Sequence, residues 1–261
     1  MFVDSHCHLD CLVDPEKALQ RARNVGVTTF LTIGVHHDDL EKRLLLIQEE
    51  TDVFFSIGVH PCYVAQCPLS PAELYDSFYE KAQHPRVIGI GETGFDLGPE
   101  SPDLALQSSY FWSQMRLALA LDLPVIIHMR YAEKEIEDLF ASFQAEFGSL
   151  PKHIFHCFTG TPLFAKRAVA RGGLISFSGI LTFPNAIQVQ DVAKEISLIS
   201  SCIESDAPWL TPVPHRGKKN EPAYVIETAK KLAEIKSVSL EELAQQTTAN
   251  FFKLFDKAVC S

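Results

Sequence analysis

No Cys-x-x-Cys pair occurs in this chain: its seven cysteines, Cys7, Cys11, Cys62, Cys67, Cys157, Cys202 and Cys260, are odd in number and scattered. That excludes a zinc-finger or thioredoxin-type redox motif, and the residues read as reduced thiols of a cytoplasmic protein, several of them simply buried. No stretch approaches the roughly 20 apolar residues of a bilayer-spanning helix, and no charged segment followed by an apolar run opens the chain, so a soluble, unexported protein without a membrane partner is expected. Positive charge is scarce. The 23 Lys and Arg against 33 Asp and Glu give a formal net charge of −10, which excludes coating nucleic acid by bulk electrostatics. A polyanionic substrate would have to be held locally, and bound cations can do that. Low-complexity segments, charge blocks and repeats of fixed period are also absent, so residues 1–261 are expected to form one domain.

What is present starts at the first residues, Phe2-Val3-Asp4-Ser5-His6-Cys7-His8. If this stretch is extended, His6 and His8 project to the same side, about 6.5 Å apart, and two imidazoles so placed can grip one metal ion. Behind it the chain alternates. Asp14-Pro15 reads as a cap and first turn of a helix to Asn24, with Gly26 past its end. Val27 to Val35 is a near-continuous apolar, β-branched run, as expected of a strand covered on both faces. The pattern then repeats: helix Asp39 to Glu50, strand Val53 to Val59, helix from Ser70-Pro71 to Gln83, strand Val87 to Gly91, helix from Ser101-Pro102 to Leu121, strand Pro124 to His128, helix Ala132 to Phe147, strand His153 to His156. A helix capped by Thr161-Pro162, strand Leu174 to Ser178, a helical segment Asn185 to Glu195, strand Leu198 to Glu204 and helices from Pro222 and Ser239 complete it. About eight strand–helix alternations imply parallel βαβ units closing into a single-domain (β/α)8 TIM-like barrel. With 46% hydrophobic residues the chain can fill such a core.

Barrel enzymes build their sites at the C-terminal ends of the strands. Here those ends carry His6 and His8, His60, Glu92, His128, His156 and Asp206. Singly, His60 or His128 fits a hydrogen-bonded core histidine, Asp206 a turn or cap aspartate, and Glu92 a solvated loop residue. Together they resist that account, because core histidines have no reason to gather on one rim and burying them unpartnered costs several kcal/mol each. Nitrogen and carboxylate donors in this number suit two divalent ions, Zn, Mn or Mg, with Glu92 placed to bridge them.

The motifs DSHCHLD at 4–10, GVHP at 58–61, GETGFD at 91–96, PVIIHMR at 124–130, HCFTG at 156–160, SFSGILTFPNA at 176–186, ESDAPWLTPVPHRGKKNEP at 204–222 and TTANFFKLF at 247–255 resemble those of the TatD-type metal-dependent DNases, of the amidohydrolase-like barrels. The resemblance covers essentially the whole chain. It implies a TIM-like barrel in which His6, His8, Glu92 and Asp206 hold one metal and Glu92, His128 and His156 the other. It also implies phosphodiester hydrolysis, typically of single-stranded DNA from the 3′ end and sometimes of RNA. Phe95, Leu97, Ser205 and Ala207 depart from the usual pattern without removing a ligand, and Leu97 bears on the substrate-facing wall.

In the expected mechanism the ions activate a water and Asp206 is the general base. His60, Arg130 and the run His215-Arg216-Gly217-Lys218-Lys219 are expected to meet phosphate from the rim, and Tyr63, Phe158 and Trp209 to stack on bases or pack the wall. Cys7 and Cys157, each beside a ligand, are expected to point away toward the outer helices, and Asp4 and Asp10 to be structural. No obligate protein partner is expected. Competing readings are a hydrolase of amides, esters or misacylated tRNA on the same barrel, and a non-catalytic metal-binding scaffold with a closed coordination shell.

Overall fold

The computed structural model describes residues 1–259, and Cys260 lies outside them. Eight parallel strands, β1 (Phe2–Cys7), β2 (Val27–Thr32), β3 (Val53–Ile57), β4 (Val87–Asp96), β5 (Val125–Arg130), β6 (His153–Phe155), β7 (Leu174–Phe177) and β8 (Ser201–Ile203), hydrogen-bond in sequence order. Around them run α1 (Pro15–Asn24), α2 (Leu40–Leu46), α3 (Pro71–Lys81), α4 (Leu104–Leu121), α5 (Glu133–Phe147), α6 (Pro162–Ala170), α7 (Ile187–Glu195), α8 (Val225–Lys236) and α9 (Leu240–Leu254). This is the (β/α)8 order, each strand lying beside its successor.

The seam between β8 and β1 is closed by single bonds rather than a regular ladder. Ser5 Oγ donates to Ile203 O (3.0 Å), Asp206 N to His6 O (2.9 Å) and His8 N to Ala207 O (2.8 Å). Asp4 adds a bracket, accepting Ser205 N at 2.8 Å and meeting Ser205 Oγ at 2.6 Å. Closing the barrel therefore brings the two ends of the chain's functional stretches together.

Local chemistry accounts for the helix starts. Asp14, Thr161 and Ser239 each accept a backbone N–H of the first turn, and Ser70 with Glu73 forms a reciprocal capping box. The start of α4 differs from expectation: Asp103 caps it, because the Ser101 hydroxyl is committed to Asp96 Oδ1 at 2.6 Å. Strand β2 stops short of Val35, since Gly34 O and Val35 O leave the ladder to accept Glu92 N and His60 N, and β3 stops short of Val59, whose backbone N–H and C=O bond the Gln114 side chain instead. Strand β4 instead runs on to Asp96, with Thr93 to Asp96 paired to Ile127 to Arg130 after a register shift beyond Ile90. Helix α2 is shorter than predicted, and Leu198–Ser200 is a 3-10 turn rather than the start of β8.

Alternate strand residues divide into two apolar layers. Phe30, Phe55, Val87, Val125, Phe155 and Ile175 join the helices in the larger core. Val3, Leu31, Phe54, Ile88, Ile126, Ile154 and Cys202 meet one another inside the barrel, with Phe251 and Leu254 of α9 and the following Phe255 packed against them. Helix α9 thus plugs the end where the strands begin, and the other end is left for polar side chains. The six cysteines of the described residues are unpaired, and among those residues no helix is long and apolar enough to cross a membrane.

His153 opens β6 at 1% exposure, donating Nδ1–H to Pro151 O at 2.9 Å while Nε2 has no partner. Burial pushes its pKa down from 6.5 to about 4. Between about pH 6.5 and pH 4 the unfolded chain binds a proton that the folded one refuses, so this residue's contribution is complete above that window and is lost as pH falls through it. The loss amounts to roughly 3 kcal/mol. Urea unfolding at pH 7 and pH 4.5 should show a smaller acid loss in His153→Gln than in the wild type; equal losses would exclude a depressed pKa at this residue.

Candidate metal centre

Glu92 stands among the imidazoles and divides them. Its Oε2 lies 3.5 Å from His6 Nε2 and 4.0 Å from His8 Nε2, and Asp206 Oδ1 lies 3.7 and 3.5 Å from the same two nitrogens. Its Oε1 lies 2.6 Å from His156 Nε2, 2.8 Å from His128 Nδ1 and 3.3 Å from His60 Nε2. Each carboxylate oxygen therefore faces its own donor set. The register shift in β4 aims the side chain there, and Glu92 N is fixed by Gly34 O at 2.8 Å. Backbone crowding requires glycine beside it, since a Cβ on Gly58 would sit 2.3 Å from the carbonyl carbon of Gly91.

The far nitrogens of the rings decide what the near ones can do. His128 Nε2 is hydrogen-bonded to Asp96 Oδ2 at 2.9 Å, whereas His156 Nδ1 lies 3.4 Å from Glu204 Oε1 as a charge neighbour without a hydrogen bond. The Asp96 carboxylate behind the His128 imidazole draws the ring proton to that side and leaves the near nitrogen's lone pair for an ion. His60 is wired the other way. Its Nδ1 accepts the Cys62 N–H at 3.1 Å, so a neutral ring carries its proton on Nε2 and faces Glu92 as a donor.

Asp96 and Glu204 were not singled out by the strand-end pattern, although each lies within a few residues of a ligand candidate. Asp96 Oδ1 accepts Gly98 N (2.7 Å) and Ser101 Oγ (2.6 Å), while Gln107 of α4 bonds both Asp96 N and Asp96 O at 2.9 Å. Glu204 Oε1 accepts Cys157 N at 2.7 Å. A second carboxylate close to each ligand was the available signal, but only packing shows which ones stand behind a histidine.

Burial works to neutralise Glu92, yet the charges of His156 and His60 and the bonds from His128 and His156 outweigh it and hold its pKa well below the carboxylate range. Asp206 is also held low, burial being overcome by the His8 bond and the charges of His6 and His156. For His156 burial opposes charge, but Glu92 and Glu204 win and raise its pKa well above the usual value; Asp96 and Glu92 raise that of His128. Burial lowers His6 and His60. The carboxylates thus stay ionised and draw positive charge toward Glu92.

The residues fit divalent metal. Donor atoms of His6, His8 and Glu92, of His6, His156 and Asp206, and of His60, Glu92 and His128 lie within 4.8 Å of one another in each group. His6 Nε2 and His8 Nε2 approach to 3.2 Å. Two imidazole nitrogens that close require a shared proton or a shared cation between them. The Nδ1 atoms of His6 and His156 and Oε2 of Glu204 are buried without hydrogen-bond partners, so this polar cluster is incompletely satisfied by protein groups alone.

A cavity of about 1040 Å³ opens from the centre, lined among others by His128, Arg130, His156, Asp206 and Trp209. Trp209 is 51% exposed and its ring meets His8 edge-on at 4.9 Å, while Tyr63 lies beside His60 and His36 at 5.7 and 4.3 Å. Phe158 is buried against Phe155 and Phe164 and belongs to the wall. Arg130 is half exposed, with Nη1 3.8 Å from Asp96 Oδ2. His215 and Arg216 are not brought to the donors: His215 stacks on Tyr224 at 4.0 Å, and Arg216 donates to Thr211 O at 2.9 Å and lies over Phe183. Their loop folds back on itself and uses these groups internally. Cys157 also departs from expectation. Its backbone turns left-handed (φ 42°) just past β6, which breaks the strand alternation, and the residue lines the cavity with Sγ 3.2 Å from Ser178 Oγ. Cys7 is buried with its thiol toward Leu31 O, and Asp4 braces Ser205.

Residues 3–256 match the family model described as TatD related DNase. The chain is 38% identical over 267 residues to the "Uncharacterized metal-dependent hydrolase YcfH" of Escherichia coli (strain K12), covering 97% of this chain and 95% of the relative. It is 34% identical over 258 residues to the "Uncharacterized metal-dependent hydrolase YabD" of Bacillus subtilis (strain 168), covering 98% and 99%. Among solved structures, that of YjjV, a TatD homologue from Escherichia coli K12, aligns with a TM-score of 0.88 at 28% identity over 98% of each chain.

In Asp96→Asn the amide can donate to His128 Nε2, which moves the ring proton to Nδ1 and blocks the nitrogen facing Glu92. Divalent-metal affinity should fall about 10- to 100-fold, measured by competition with a chromophoric chelator. Unchanged affinity would exclude Asp96 as the group that orients His128.

Proposed function

The chain belongs to the TatD-related DNase family of metal-dependent hydrolases, and from that premise we propose that it hydrolyses phosphodiester bonds of nucleic acid with two divalent ions, acting on single-stranded DNA from the 3′ end. The observation that carries this reading is the split of Glu92, with one donor set on each carboxylate oxygen at the base of an open cavity. His6, His8, Asp206 and Glu92 would hold one ion, and His128, His156 and Glu92 the other. Ions so held supply Lewis acidity, lowering the pKa of water and neutralising phosphate charge.

The protein's own groups do the rest. Asp206 is ionised and lines the cavity, so its carboxylate can take the proton of an attacking water. His60 offers Nε2–H toward the same space, suited to a phosphate oxygen. Trp209 and Tyr63 present ring surface on either side of the donor sets, and base stacking on such rings is worth about 1–3 kcal/mol per base. This local chemistry answers the deficit of positive charge, because the polyanion is held at the centre rather than by the surface.

Single strands labelled at the 3′ or 5′ end, DNA and RNA, should be tested beside simple phosphodiesters, amides, esters and misacylated tRNA. Shortening of single-stranded DNA from the 3′ end, lost in EDTA and restored by added metal, is expected; turnover confined to amides or to the tRNA ester would replace the nuclease reading. Asp206→Asn should lower kcat about 10²- to 10⁴-fold; near-normal turnover with full metal content would remove it as the base. His60→Gln should leave metal content unchanged and reduce kcat/KM, whereas lost metal would make His60 a ligand.

A further inference from the structure

Glu92 and His60 reach the centre from neighbouring strands, yet the same two residues hold their backbones. Glu92 N donates to Gly34 O at 2.8 Å and His60 N to Val35 O at 3.1 Å. Gly34 and Val35 lie beyond the end of β2 and belong to no strand, so something else must set their position.

That something is an ion pair between a buried arginine and a half-buried aspartate. Asp39 Oδ2 accepts Val35 N at 2.8 Å and His36 N at 3.0 Å, while its Oδ1 accepts Arg43 Nη2 at 2.7 Å. Arg43 is only 1% exposed. Its Nη1 donates to Thr32 O at 3.0 Å and its Nη2 also to Ser56 O at 2.8 Å, so one planar group ties the end of β2 to β3. Gly34 sits against this fork, and a Cβ there would lie 2.6 Å from Arg43 Nη2. Gly34 N is held in turn by Ser56 Oγ at 3.1 Å.

Stability alone is a poor reason for this pair. Buried ion pairs are often matched or bettered by apolar residues of similar volume, and Arg43 Nε is left without a partner. Geometry is a better one, since a functional constellation must be held to about 0.5 Å. We propose that the Asp39–Arg43 pair is a positioning device that clamps Gly34 and Val35 and thereby sets Glu92 and His60 together in the metal centre. The proposal rests on reading Glu92 as the shared metal ligand. Neither Asp39 nor Arg43 touches the reacting atoms; they act through the two carbonyls.

The test uses the full-length protein and Zn²⁺, with affinity measured by chelator competition, kcat and KM on the DNA substrate, and urea unfolding as the check on folding. The double variant Asp39→Asn/Arg43→Met removes both charges and leaves none unpaired. It should unfold cooperatively, bind Zn²⁺ about 10- to 100-fold more weakly, and lose kcat without a matching rise in KM. Arg43→Lys keeps the charge but not the fork, so it should fold and show the same direction of change in smaller degree. A destabilised control far from the centre, Ser70→Ala, should keep wild-type Zn²⁺ affinity. Wild-type Zn²⁺ affinity and kcat in a folded double variant would overturn the clamp, and so would wild-type affinity in Arg43→Lys should the double variant not fold. A wild-type protein that binds no Zn²⁺ would instead overturn the reading of the centre on which the clamp rests.

Discussion

The buried carboxylate of Glu92 is the interaction on which the rest of the site depends. It is 3% exposed and ionised, a state that burial alone would forbid. Positive charge or a metal must therefore stand on both of its oxygens, and the histidines of β1, β5 and β6 with His60 are arranged around it accordingly. The backbone is shaped to the same end: the register shift in β4 turns the side chain inward, and the facing glycines at 58 and 91 let the strands approach closely enough to keep it there.

A second ring of groups gives the imidazoles their individual tasks. Asp96 and Glu204 stand behind His128 and His156, while a backbone N–H stands behind His60. Chemically identical side chains thus take different tasks, His128 turning a lone pair and His60 an N–H toward Glu92. Gln107 bonds both backbone groups of Asp96, and the next residue of that kind on the same face of α4, Gln114, bonds Val59 N at 2.9 Å and Thr93 Oγ1 at 2.7 Å. The polar residues on the buried face of an otherwise apolar helix therefore brace two of the strand ends that carry the site.

The alternation of strands and helices was legible because period and caps are local: Asp14-Pro15, Ser70 and Thr161 mark helix starts wherever the chain goes. Strand lengths were less legible. Val35 and Val59 read as strand from their apolar character, yet lie past the ends of β2 and β3 because Glu92 and His60 use the carbonyls of Gly34 and Val35 and the Gln114 side chain takes the backbone of Val59. Cys157 misled for a related reason, since strand alternation says nothing about a residue whose φ is positive. The position of Arg216 was illegible because a charge in a loop is visible in sequence while the carbonyl that engages it, Thr211 O, is not.

By itself, then, the sequence determined the barrel, the family and the residues able to meet at the strand ends, because hydrophobic period, turn chemistry and motif spacing are properties of short segments. Only the tertiary structure decided which oxygen of Glu92 meets which donor, that Asp96 stands behind His128, and the Asp39–Arg43 bracket beneath Gly34. These depend on which groups face one another across strands far apart in the chain. Ring protons and buried charge respond to such neighbours over a few ångströms, whatever the distance along the sequence.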